Sequence, residues 1–225
     1  MGWLDTLKKA ARGPARHDLS AAERKKAGRE LVQMSALAAG AITLAPLPFV
    51  DFVAITPVQA AMVMAVGRVH GRELDLKEAK AVLVELASVC GAGLLARQVF
   101  TTATKFLLPG LGGVLSAPYA FAVTWAMGQV AIRYFEDPSA RDALKAVFED
   151  ALAEGKRLFS REAVEEFRRK RGAEVDAFAA EEAAGVGAEA PPRSARPKRT
   201  APKKRAAAKP KPAAKRKKRP TRPAR

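Results

Sequence analysis

Apolar and polar positions along this chain come in blocks. Leu31 to Gly67 is 37 residues long with Asp51 as its single charge, and Leu86 to Ile132 is 47 residues long with only Arg97 and Lys105. Neither stretch shows the period of two that a half-buried strand needs. Both are rich in Ala, Leu and Met, good helix formers, and are broken by Pro and Gly. The expected fold class is all-α: a compact bundle of apolar helices and helical hairpins, then amphipathic helices and a disordered basic tail.

Local punctuation places the elements. Ser20 is an N-cap for a helix over about Ala21–Ala45, which ends at Pro46-Leu47-Pro48. Thr56 and Pro57 read as the N-cap and first residue of a second helix over about Pro57–Val69, with Gly71 as its stop. A third helix is expected over about Leu76–Leu107. Pro109–Gly113 forms a turn, and a fourth helix covers about Val114–Phe135, with Pro118 kinking it or marking its start. Asp137-Pro138 then caps an amphipathic helix carrying Leu144, Val147, Phe148, Ala151 and Leu152. Gly155 interrupts it. Ser160 caps a further helix through Val164 and Phe167, whose end is loaded with Arg168 to Arg171.

Charge changes the picture at the far end. The chain has 40 Lys and Arg against 23 Asp and Glu, and residues 191–225 hold 16 of those bases, eight prolines and no acid. The body is therefore near neutral, and the tail is a polycation too poor in apolar side chains to offset its own ordering entropy. Its anion-binding residues are Lys198, Arg199, Lys203, Lys204, Arg205, Lys209, Lys211, Lys215, Arg216, Lys217, Lys218 and Arg219. With no aromatic among them, they neutralise phosphates without stacking on bases, so binding carries no sequence preference and weakens as salt rises. The partner is an anionic polymer (DNA or RNA) or anionic lipid. Residues 173–190, with five acids and no base, read as a linker able to fold back on the tail. The layout expected is an N-terminal amphipathic arm (1–19), an apolar helical domain (20–136), amphipathic helices (137–172), an acidic linker (173–190) and the tail (191–225). Trp3, in the arm, lies on a membrane surface or in a loosely packed segment.

Two distant histidines, His17 and His70, and one cysteine, Cys90, make no four-ligand zinc site and no credible nucleophilic triad. No Gly-x-x-x-x-Gly-Lys-Ser/Thr loop occurs. We expect no catalytic residues, no cofactor and no metal. The start of the chain lacks the apolar core of a secretory signal.

Pro46-Leu47-Pro48-Phe49-Val50-Asp51, Thr56-Pro57-Val58-Gln59-Ala60-Ala61-Met62 and Gly71, followed by Lys105-Phe106-Leu107-Leu108-Pro109-Gly110, Thr124, Gly128 and Tyr134-Phe135, carry a resemblance. Over about residues 30–136 the chain resembles a bacterial domain of unknown function that commonly follows Era-like GTPase domains and is related to the C-terminal region of YcjF-type inner-membrane proteins. The tail resembles histone H1-like bacterial tails. The resemblance implies a helical, membrane-associated accessory domain beside a GTPase, here a separate protein because the phosphate loop is missing. His70 stands where an aromatic residue is expected before Gly71. The family brings no catalytic residues to carry over.

Asp51 and Lys105 remain as a candidate buried polar site. Asp51 is either an N-cap in the turn into Phe52 or a buried acid paired with Lys105 or Arg97. Neither Ala36–Val50 nor Phe52–Gly67 spans a bilayer alone; together they suit a re-entrant hairpin or one broken span, or else a soluble bundle core. Arg24, Lys25, Lys26 and Arg29 before the first apolar stretch and the basic tail after the last favour a bacterial inner-membrane location with both termini cytoplasmic. The alternative is a cytoplasmic, nucleoid-associated DNA-binding protein.

Overall fold

The computed structural model describes residues 2–44, 50–90 and 112–188. The chain divides into residues 1–190 and 191–225, and the second unit lies outside the described residues. Every regular element described is helical: α1 (Trp3–Arg12), α2 (Ala21–Thr43), α3 (Val50–Val69), α4 (Leu76–Cys90), α5 (Gly112–Glu136), a 3-10 turn (Arg141–Ala143), α6 (Leu144–Leu158) and α7 (Arg161–Ala188).

Caps set several starts. Ser20 Oγ accepts from Glu23 N while Glu23 Oε2 accepts from Ser20 N at 2.9 Å, a reciprocal capping box for α2. Asp75 and Glu78 repeat it at α4, at 2.7 and 2.8 Å. Ser160 Oγ accepts from Ala163 N and opens α7. Gly71, with φ of 76°, ends the turn after α3 in a conformation that favours glycine.

The charge-poor sequence forms the middle of the bundle. α3 packs against α1, α2, α4, α5 and α7, and a helix enclosed on all sides must be apolar all round. Ala54, Val58, Met62, Val63 and Val66 are accordingly buried. α2 and α5 run antiparallel: a Cβ on Gly28 would meet Ile132, one on Gly128 would meet Val32, and one on Gly40 would meet the Ala117 carbonyl. α3 lies parallel to α5, with Gln59 beside Thr124 and Gly67 beside Phe135. Thus one end of the bundle collects the C-terminus of α2 and the N-termini of α3 and α5. The opposite end collects charged groups, among them Glu23, Arg24, Arg68, Arg133 and Asp137.

Several expectations are corrected. α3 begins at Val50, so Thr56 is not its cap and Pro57 lies inside it; packing on every side outweighs the lost hydrogen bond of an interior proline. Asp51 is the second residue of that helix rather than a cap ahead of it. Pro118 lies inside α5, which starts at Gly112. Asp137 does not cap α6; it closes a local turn by accepting from Ser139 N at 3.1 Å, and α6 starts at Leu144 after the 3-10 turn. Gly155 does not interrupt α6 but lies buried in it, where a Cβ would stand 3.0 Å from Ala122 Cα. Residues 173–188 are no linker: α7 continues through them and buries Val175, Phe178 and Ala179. Pro109–Leu111 and the part of the third helix beyond Cys90 lie outside the described residues.

The N-terminal segment is likewise no loose arm and no free membrane-lying helix. Trp3, Leu7 and Ala11 fall on one face of α1 and are buried. The Trp3 ring meets Phe178 edge-on at 5.8 Å and Phe167 at 6.1 Å. Glu174, on α7, accepts from Leu4 N at 3.0 Å and so caps a helix whose own N-cap, Gly2, has no side chain to do it. Any Cβ at Gly2 would collide with that carboxylate.

Candidate functional site

Several of the residues that carry the family resemblance join helices of the body, while positions 46–49 and 105–110 lie outside the described residues. Gln59 Nε2 donates to Thr124 Oγ1 at 3.1 Å, joining α3 to α5 across the core, where Thr124 is fully buried. Gly128 lets Val32 reach the α5 backbone. Tyr134 OH donates to Glu85 Oε2 at 3.3 Å, and Arg141 binds the same carboxylate at 3.0 Å while lying 5.9 Å from the Tyr134 ring centre. These contacts fix helix register, and none presents a reacting group.

A second set clamps α6. Arg29 on α2 pairs with Glu154 on α6 at 2.6 Å and lies 5.0 Å from the ring centre of Trp125 on α5, whose Nε1 donates to Glu154 at 3.1 Å. Arg29, one of the bases expected to flank the first apolar stretch, is thus engaged with α5 and α6.

At the charged end, Arg68 is only 15% exposed. It pairs with Glu73 at 3.1 Å and donates to the carbonyls of Ala11 and Leu74, stitching α1 to the turn after α3. Arg16 bridges to Asp18 at 2.9 Å, and that hydrogen bond lowers the Asp18 carboxyl to about 2. His17, far away in sequence, packs against the residue that follows His70: a Cβ on Gly71 would lie 3.0 Å from His17 Nδ1. His70 is not a free surface residue. It is half-buried, stacks on Phe135 at 6.4 Å and takes the place of the aromatic residue expected there. Its Nε2 is buried without a hydrogen-bond partner among the described residues.

Burial lowers the His70 pKa, opposed by the charge of Glu136 and assisted by that of Arg24. The unfolded chain, with His70 near the ordinary 6.5, therefore takes up a proton at higher pH than the folded one. Stability from this residue is complete above that value, falls as pH drops below it, and levels once the folded imidazole is protonated. His70→Phe keeps the ring stacking and removes the titration. Thermal melts at several pH values from neutrality down through the histidine range check this: the variant loses the slope, and an unchanged slope would assign it to another group.

Neither expected site can be placed in full. Lys105, Arg97 and the tail cations from Lys198 to Arg219 lie outside the described residues, as does the side chain of Asp51. Among the described residues no three His, Cys, Asp or Glu side chains gather to hold a metal ion. Among them, too, no helix is long and apolar enough to cross a membrane.

A profile described as a domain of unknown function, DUF697, matches residues 8–157. The chain belongs to the DUF697 family. The match runs beyond the stretch of about 30–136 that carries the motifs, and takes in the second half of α1 and nearly all of α6. This DUF697 protein is also 30% identical over 170 residues to magnetosome membrane protein 22 of Magnetospirillum gryphiswaldense, an alignment covering 68% of this chain and 83% of the relative. No solved structure matches it.

Proposed function

We propose that the protein is a non-catalytic, membrane-associated accessory domain working beside a separate GTPase, with a cationic tail that holds an anionic partner without sequence preference. The observation that carries this reading is the kinship with a protein named for a membrane. The bundle agrees with it: the end where α2 closes and α3 and α5 begin is the end to which the charge-poor sequence leads. An inner-membrane location with both termini cytoplasmic suits the basic tail, which gains about 1 kcal/mol per Lys or Arg near an anionic leaflet before screening. The GTPase rests on the family resemblance. The absence of catalysis rests on the sequence, whose two histidines and single cysteine assemble no nucleophile set.

Fractionation of cells tests the membrane part: the full chain is expected in the membrane pellet, and recovery wholly in the soluble fraction would overturn it. The tail is tested apart from that. Deleting residues 191–225 is expected to abolish retention of duplex DNA in a gel shift, and retention by the full chain is expected to collapse between about 50 and 200 mM salt. Equal retention by the shortened chain would place the anion site in the body.

A further inference from the structure

We infer that the corner between α6 and α7, Lys156 to Phe159, is the part of the body that rests on an anionic lipid surface. The inference depends on the membrane-associated reading above and names the face that makes the contact. Three large apolar side chains stand exposed among the described residues: Leu76, Val84 and Leu158. Leu158, 46% exposed, follows directly on Lys156 and Arg157. Both cations are exposed, and neither makes an ion pair or hydrogen bond with any described residue. An apolar side chain beside unpaired cations fits a headgroup layer, where the side chain enters the acyl boundary and the cations meet phosphates.

Charge separates this corner from the other two exposed positions. Residues 156–171 hold seven bases and three acids, whereas residues 72–85, which include Leu76 and Val84, hold three bases and four acids. An anionic surface attracts the first segment and not the second. Cations in the last turn of α6 also complement its dipole, but that role needs no exposed leucine beside them.

The corner is rigid and well placed. Phe159 packs edge-on against Phe121 at 5.8 Å, and Gly155 lies against Ala122. Val164 is the side chain that a Cβ on Gly40 would meet, and Arg168 donates to the Ala41 carbonyl at 3.0 Å. The corner itself is thus seated on the first half of α5, and the first turns of α7 lead from it past the closing turn of α2.

A polarity-sensitive fluorophore on the full chain reads the contact directly. Cys90→Ser combined with Leu158→Cys puts the label at the corner, and Cys90→Ser combined with Ala81→Cys puts it on the exposed side of α4. Each protein is floated with vesicles of phosphatidylglycerol and phosphatidylcholine. The expected result is co-flotation of both, with a blue shift and a roughly twofold or greater rise in emission only for the label at 158. Adding Lys156→Glu and Arg157→Glu should remove that rise. Co-flotation without a change at 158 overturns the corner and leaves membrane association standing, since the tail then makes the contact. No co-flotation of the full chain overturns both.

Discussion

Trp3→Ala is expected to lower the unfolding free energy by about 3–5 kcal/mol, the range for emptying a large buried aromatic site. The ring is 3% exposed and held between Phe167 and Phe178 of α7. Removing it leaves a cavity where the first residues of the chain meet residues more than 160 positions later. A domain of this size has about 5–15 kcal/mol in total, so the loss would be plain in a urea or guanidinium titration. The second tryptophan, Trp125, is buried and remains as the optical probe. A loss below about 1 kcal/mol would mean that α1 contributes little and that its packing on α7 is incidental.

Gly128→Ala is expected to cost about 1–3 kcal/mol even though it adds a single methyl group to a helix, where Ala is ordinarily the better residue. The new Cβ would collide with both γ-methyls of Val32 and crowd its Cβ, so α2 and α5 have to separate along their longest shared face. For a body of this size the expected fall in Tm is about 2–4 °C per kcal/mol. Val32→Ala removes the obstruction at the price of a small cavity. The double variant should then lose less than the two single variants together, with a coupling of about 0.5–3 kcal/mol. Strict additivity would show that Gly128 matters for some reason other than this crossing.

The sequence carried the helical class and the local punctuation, because caps and left-handed stops are properties of a few adjacent residues. Ser20 with Glu23 and Gly71 are cases where neighbour chemistry alone decides the geometry. It misled wherever long-range packing overruled a local signal. Pro57 looked like a start because Thr56 precedes it, but a helix buried on all sides tolerates one missing hydrogen bond. Gly155 looked like a break because nothing local reveals that Ala122 will lie against it. The acids of 173–190 suggested a linker; Val175, Phe178 and Ala179 at helical spacing were the better guide, and Glu174 and Asp176 prove to serve α1 and Arg168. The spacing of Trp3, Leu7 and Ala11 was readable, but not the partner they face.

Candidate chemistry was legible only in outline. The tail and the two charge-poor stretches stand out by composition, which is a property of the sequence itself. The engagement of Arg29 with Glu154 and Trp125, and the approach of His17 to the residue after His70, depend on antiparallel packing that no local pattern encodes. One signal existed for the stacking of His70 on Phe135: a histidine standing where an aromatic residue is expected before Gly71.

On the reading proposed above, the helical body, and not only its polycationic tail, goes to a membrane. Fluorescent fusions of the full chain and of residues 1–190, imaged in living bacterial cells, test it most directly. Both fusions are expected to outline the cell envelope. A full-length fusion on the nucleoid together with a diffuse 1–190 fusion would contradict it and leave a soluble, DNA-coating protein in its place.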